Sequence, residues 1–264
     1  MAAMDEFRAE REAIKNGTFK QKAAYFWDYY KWHTIIALLI IIFVTSYVYN
    51  LVTATDTILE GVFLNVSNLD NETTPTIFAD EFIKEYDIDT KEYDVSLNTN
   101  LSYMAASEQP EDATNNAMQT NYTTIQVLMA QSGAEMLDFI VGTHGSMQEL
   151  SYNGYFADLS EILSEEDYAL FEPYFLYLDM GVVEKQEEAY DKMEDSSTIP
   201  IPLCTEPDTM EKPIPVMIDL SQCEKVTSTY GYDVGTLAFG IITNGPNQEN
   251  SLKFLKMLTT DLTQ

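Results

Sequence analysis

Residues 34–52, TIIALLIIIFVTSYVYNLV, form a run of 19 without a charge. At ~1.5 Å rise per residue a helix of that length extends ~28 Å, close to the ~30 Å hydrocarbon core of a bilayer. Twelve of the nineteen are Ile, Leu, Val or Phe, each favouring insertion by roughly 0.3 to 0.6 kcal/mol at the helix centre. The run is therefore expected to span a membrane. A cleaved signal peptide has a short basic region before its apolar stretch, whereas 33 residues precede this one.

Charge on the two sides orients the span. Lys20, Lys22 and Lys31 precede it and the first charges beyond it are Asp56, Glu60 and Asp70, so the positive-inside bias puts the N-terminus in the cytoplasm and the bulk of the chain outside the cell membrane. Aromatic belts agree in depth, with Trp27, Tyr29, Tyr30 and Trp32 at the inner edge and Tyr47 and Tyr49 at the outer. The expected organisation is a cytoplasmic tail with a juxtamembrane interfacial helix (1–33), the span (34–52) and an extracellular body. Of 14 Lys and Arg only eight, all Lys, follow the span, against 38 of 43 Asp and Glu. An exterior of formal charge near −30 excludes a basic face for phosphates, so no nucleic-acid partner is expected. The acidity reads as a solvated surface.

Within the body, residues 59–66 read as a strand, 75–86 as a helix entered through Pro75, 93–97 as an alternating strand, 118–133 as a helix stopped by Gly133, and 137–141 as a short apolar strand. Met118, Tyr122, Ile125, Leu128 and Met129 recur at helical spacing. The βαβαβ order predicts an α/β body with a mainly parallel sheet. Ligands of such sheets bind beyond the carboxyl ends of the strands, which selects Asn65, Ser67 and Asn68 after the first strand and Thr143, His144, Gly145 and Ser146 after the third. Beyond residue 150 the pattern changes. IPIP at 199–202 and PIPVMIDL at 213–220 are extended but Pro-punctuated, and Pro in mid-sheet forfeits ladder bonds. The expected division is a first lobe over 53–150, a smaller second lobe over 151–232, and a strand and helix over 233–264 that return to the first.

No G-x-S-x-G, Walker A or H-E-x-x-H spacing occurs, and the exterior holds one histidine, His144. The expectation is no enzyme, no cofactor and no metal site. Cys204 and Cys223 could close a loop of about twenty residues, worth roughly 3 kcal/mol by loop entropy, or could be two separate buried thiols. Tyr155, with Tyr152, Tyr174 and Tyr177, could line a cleft or a core.

Three segments in order, LDFIVGTHGSMQELSYNGYFADLSEIL (137–163), FEPYF (171–175) and GTLAFGIITNGPNQENSLKFLKMLTTD (235–261), resemble the extracellular solute-binding proteins of bacterial ABC importers, of periplasmic-binding-protein type II fold. The segment TFKQKAAYFWDYYKWH with its span is similar to membrane-anchored proteins of Gram-positive bacteria. The resemblance implies a small-molecule solute held between two lobes, with Tyr155 among its contacts, and an ABC permease or other membrane protein as partner. It departs in length, in the absence of a lipobox cysteine, and in having no Trp and no Arg beyond the span. Without Arg to clamp a carboxylate, the ligand expected is neutral polar or cationic. The alternative expectation is a ligand-free interaction or scaffold subunit of a membrane complex.

Overall fold

The computed structural model describes residues 17–53, 55–67, 76–109, 115–232 and 236–262. It divides into two units, Met1–Ala54 and Thr55–Gln264.

The first unit is one helix, α1, Phe19–Thr53. Thr18 starts it: the Thr18 N–H and hydroxyl both donate to Gln21 Oε1, at 2.9 and 3.0 Å, and Lys22 N–H returns to the Thr18 carbonyl at 3.0 Å. An N-cap threonine answered by Gln three residues on satisfies donors that have no partner inside the helix. No break occurs at residue 34, so the interfacial segment and the apolar run are one rod. Its stretch Tyr30–Tyr49 has a mean hydropathy of 1.9 and buries none of its residues. Its length and composition are enough to cross a bilayer, which makes α1 the candidate membrane helix.

The second unit is built on one six-stranded sheet, order β2-β1-β3-β6-β5-β4. In chain order the elements are β1 (Asp56–Phe63), α2 (Ile77–Glu85), β2 (Tyr93–Asn98), a 3-10 turn (Ala106–Glu108), α3 (Asn115–Gly133), β3 (Phe139–Thr143), α4 (His144–Tyr152), α5 (Leu159–Ile162), α6 (Glu165–Phe171), β4 (Phe175–Asp179), α7 (Met180–Asp191), β5 (Pro213–Asp219), α8 (Glu224–Tyr230), β6 (Leu237–Ile241) and α9 (Gln248–Leu258). Alternation along the strands separates two cores. Phe63, Phe139 and Phe239 point to one face, where they meet Phe78, Tyr230 and Phe254; Val62, Ile140 and Ala238 point to the other, with Leu128, Met147 and Leu150. The Phe139 ring stacks on Phe239 and Phe254 at centroid distances of 4.8 and 4.9 Å. Gly61 makes room for it, since a Cβ there would fall 2.0 Å from the Phe139 ring.

One expectation needs correction. The sheet is mixed rather than mainly parallel: β1 pairs in parallel with β2 and β3, while β3–β6, β6–β5 and β5–β4 are antiparallel. The smaller second lobe over 151–232 is not shown, because those residues contribute β4 and β5 to the same sheet. Pro213 and Pro215 are tolerated there because β6 pairs only with Ile218 and Asp219, at the far end of β5. On the other side the β4 ladder shifts register at Tyr177, whose N–H donates to the Cys204 carbonyl at 2.8 Å instead of across to Pro215. Much of the apolar stripe of α3 is exposed, Met118, Tyr122 and Met129 included, while among the described side chains of that helix Thr124 and Leu128 are the buried ones. Polar bonds dock α3 instead: Thr124 Oγ1 donates to the Ser102 carbonyl at 2.7 Å, and the Asn121 amide exchanges two bonds with the backbone of Met104.

Of the two alternatives for the cysteines, separate thiols is the outcome. Cys204 and Cys223 are free and buried in different cores, and burial pushes the thiols up to about 11 and about 12 respectively. The returning strand and helix are as expected: β6 lies against β3, and α9 covers β1 and β6 on the aromatic face.

Candidate functional site

The carboxyl ends of β1, β2, β3 and β5 share one edge of the sheet with the start of β6. That rim gathers chain-distant polar groups around a residue the sequence reading passed over, Glu108. Its carboxylate accepts from Thr143 Oγ1 at 2.9 Å and from the Gly145 N–H at 3.2 Å, and lies 3.0 Å from Ser146 Oγ. Ser146, fully buried, is also 2.9 Å from the Tyr103 carbonyl. The reason is local: Thr143 is the N-cap of α4 yet makes no side-chain cap bond, so the first turn offers unpaired donors at the positive end of a helix dipole. A carboxylate from elsewhere in the chain satisfies them. Gly145 allows its approach, since a Cβ there would lie 2.5 Å from the Glu108 carboxyl carbon.

Asn65 and Ser67 serve the same rim structurally. Asn65 sits in the left-handed region at φ 60°, accepts the Tyr103 N–H on Oδ1 at 2.9 Å and donates through Nδ2 to the Tyr103 carbonyl at 2.5 Å, so its amide holds the 101–103 segment in place. Ser67 Oγ donates to the Gly231 carbonyl at 2.6 Å. Asn68 lies outside the described residues.

His144 faces β5. Its Nε2 is 3.2 Å from Asp219 Oδ1 and 3.3 Å from Ser221 Oγ, while Ser221 N–H donates to Asp219 at 2.8 Å and Leu237 N–H donates to Ser221 Oγ at 3.1 Å. Burial pushes the Asp219 carboxyl up, but its hydrogen bonds to His144 and Ser221 outweigh that and hold it below the usual carboxylate range. Asp, His and Ser together suggest a hydrolytic relay. The geometry is different, because a relay needs the acid and the nucleophile on opposite ring nitrogens and here both contact Nε2.

Two cavities open on the rim. One of about 360 Å³ is lined by Asn65, Ser67, Glu108, Thr143 and Thr236 among others; one of about 640 Å³ is lined by Ala105, His144, Gly145, Gln148, Tyr152 and Leu203 among others. Both are of small-ligand size, and among the described residues neither is lined by Lys or Arg. Tyr155 is not with them. It lines a third cavity, of about 520 Å³, with Tyr103, Glu149 and Asn153. The eight predicted residues are thus divided: five on the rim cavities, Ser146 buried beneath them, Tyr155 elsewhere, and Asn68 undescribed. Nothing in the sequence ties Glu108 to residues 143–146 across 35 positions; the one available signal is a Thr-x-Gly-Ser turn opening a helix without its own acceptor. Among the described residues no group of three or more His, Cys, Asp or Glu is placed to hold a metal ion.

No protein-family model matches the chain, and no curated protein matches it. Among solved structures it is similar to the ABC substrate-binding protein Lmo0181 from Listeria monocytogenes in complex with cycloalternan, at 11% identity over 78% of this chain and 76% of that one, with a TM-score of 0.30. An overlap that loose transfers neither a ligand nor a residue role.

Proposed function

We propose that the chain is a single-pass membrane protein, N-terminus in the cytoplasm, whose outward body binds a neutral polar or cationic solute at the sheet rim and presents it to a membrane partner such as an ABC permease, without catalysis. The observation that carries this reading is the convergence of Thr143, Gly145 and Ser146 on Glu108 between two ligand-sized cavities. The chemistry of the rim supports such a ligand: Glu108 and Asp219 are carboxylates, and with no Arg or Lys among the described residues of the cavity walls an anion would enter against them without a counter-charge. The Lys bias before α1 supports the orientation.

Thermal unfolding of the full chain in detergent, run against a panel of uncharged sugars, zwitterions, amines and carboxylates, tests the claim. A solute that binds only the native state raises Tm with its concentration. Stabilisation by a neutral or cationic compound that is lost in Thr143→Val supports it; stabilisation by carboxylates alone, or by none of the panel, refutes it. Protease added to intact cells should digest the body, and protection until lysis would reverse the topology.

A second reading is an extracellular platform for other proteins. It is favoured by α3, which carries no charged residue over 19 positions while exposing Met118, Tyr122 and Met129. Exposed apolar side chains along an uncharged face are an interface signature. Crosslinking through α3 would then return a protein partner whatever solute is present.

A further inference from the structure

The third cavity lies between α3 and the C-terminal end of α4, on the side of the sheet away from the aromatic stack. Its floor is polar. Tyr155 is 8% exposed, and its hydroxyl is buried with no hydrogen-bond partner among the described residues. A buried hydroxyl left unpaired is costly, and folded proteins seldom tolerate one without a reason. Glu149 brings a carboxylate to the same cavity. It accepts the Ala106 N–H at 3.1 Å and the Tyr103 hydroxyl, which leaves acceptor capacity unused on a group with about four lone-pair sites.

The backbone adds to this field. Ser132 lies in the last turn of α3 and Asn153 caps the C-terminus of α4, and both line the cavity. Helix C-termini carry partial negative charge, so two of them with a carboxylate favour a cation. No Lys or Arg lines the cavity among the described residues, and the body as a whole is strongly acidic. Above the polar floor, Ile125 and Met129 supply an apolar wall.

We infer that this cavity is a binding site for a small primary alkylammonium, whose N–H groups donate to Glu149 and to the orphaned Tyr155 hydroxyl while its alkyl chain lies against Ile125 and Met129. The head must donate hydrogen bonds, because Tyr155 and Glu149 both have free oxygen lone pairs and a quaternary ammonium would leave them unpaired. The site does not depend on the rim, and its failure would leave the rim reading standing.

The test uses the full chain in detergent micelles with [13C]methyl methionine, reading the Met129 methyl resonance, assigned by Met129→Leu. The probes are n-butylammonium chloride and n-butanol at matched ionic strength, equal in chain length and different in head. The expected result is a saturable shift of Met129 with n-butylammonium, at least about tenfold tighter than with n-butanol, since one hydrogen bond to a charged group separates them. Glu149→Gln should weaken it about tenfold. Should that variant fail to fold, Tyr155→Phe, which removes no intramolecular bond, should weaken the amine and leave the alcohol unchanged. Equal binding of the two probes, no saturable shift, or equal movement of the Met118 methyl, eleven positions from Met129 along α3, the mark of diffuse attraction to an acidic surface, would each overturn the inference.

Discussion

Asp138 is the residue on which the closure of the fold can be tested most directly. It is completely buried, and its carboxylate accepts three N–H groups: Glu60 backbone at 2.8 Å, Asn247 backbone at 2.8 Å and Asn247 Nδ2 at 3.2 Å. Its own backbone adds two ladder bonds, to Glu60 and Ile242. One residue, through side chain and backbone together, thus ties β1, the head of β3, the end of β6 and the start of α9. Among the described residues no cation is paired with it; the first turn of α9 supplies the positive potential. In Asp138→Asn the backbone donors sit on different oxygens, so whichever oxygen becomes NH2, one buried N–H faces a donor. Losing one bond to a charged acceptor costs about 1.5 to 3 kcal/mol, and the surviving bond weakens to a neutral one. Relief of the repulsion that Asp138 exerts on Glu60 returns part of this. The expected net loss is about 2 to 4 kcal/mol. Urea unfolding followed by far-UV circular dichroism measures it: with m of about 2 kcal/mol/M, the midpoint should fall by about 1 to 2 M. Glu60 should also titrate closer to its ordinary value in the variant. A midpoint drop under about 0.3 M would mean that the returning strand and helix are not held through Asp138, and the account of closure would be wrong.

Other expectations follow from single contacts. Tyr155→Phe in the absence of ligand should leave stability unchanged or raise it by up to about 1 kcal/mol, because the hydroxyl it removes has no partner; a calorimetric loss beyond about 1 kcal/mol would reveal a missed bond. Glu108→Ala should cost about 1 to 2 kcal/mol from the donors it leaves at the start of α4 and widen the rim, so a rim solute that coexists with Glu108 should bind differently in the variant. Burial pushes the Asp179 carboxyl up, but the N–H groups of Glu211, Lys212 and Gly181 prevail and hold it down, as His144 and Ser221 do for Asp219. Both therefore stabilise fully above their ordinary value of 3.8, and that contribution is lost as pH falls through their lower folded values. Glu60 works the other way: raised by burial, then by Asp138 and Asp94, it disfavours the fold at neutral pH and stops doing so as pH drops through its raised value toward 4.5. Urea midpoints measured from pH 7 to 2.5 should fall most steeply below about 4, less so in Asp179→Asn, and an equal acid slope in that variant would refute the assignment. Iodoacetamide at pH 8 should label neither Cys204 nor Cys223 in the folded chain and both in urea, as thiols raised to about 11 and 12 require.

Where the chain could be read in advance, one strong local period did the work. The apolar run of α1, the alternation of Tyr93, Val95 and Leu97, and the continuous run ahead of Gly142 each carry their geometry in a few adjacent residues. The stripe on α3 carried a true period but did not say which side of the helix docks. Met118, Tyr122 and Met129 fall on one side, yet Thr124 and Asn121, through bonds to Ser102 and Met104, decide which side faces inward. Period reports that a helix has a distinct face, while docking depends on groups 20 residues away. The rim divides in the same manner: Thr143, Gly145 and Ser146 were identifiable as a helix-opening turn, but the acceptor they require arrives from Glu108 through a segment with no pattern of its own.

The expected second lobe is not shown, and the reason lies in proline. It rested on proline, which cannot donate to a ladder, and so on the premise that 213–220 lies outside any sheet. Strand β5 meets that restriction by position: its prolines stand where β6 does not reach, and Cys204 takes the N–H of Tyr177 opposite Pro215. Residues 175–219 therefore extend the sheet of the first lobe instead of building a second wall across from it. For the proposed solute site, no second lobe is shown among the described residues to close over a ligand and exclude water. Whatever selectivity the rim has must come from groups already fixed in place, Glu108 held by three donors and Asp219 held by His144 and Ser221. Preorganised sites of this kind lose little entropy on binding but gain little from enclosure, so solutes of the rim should bind weakly and exchange fast, with association rates that vary less between solutes than dissociation rates do.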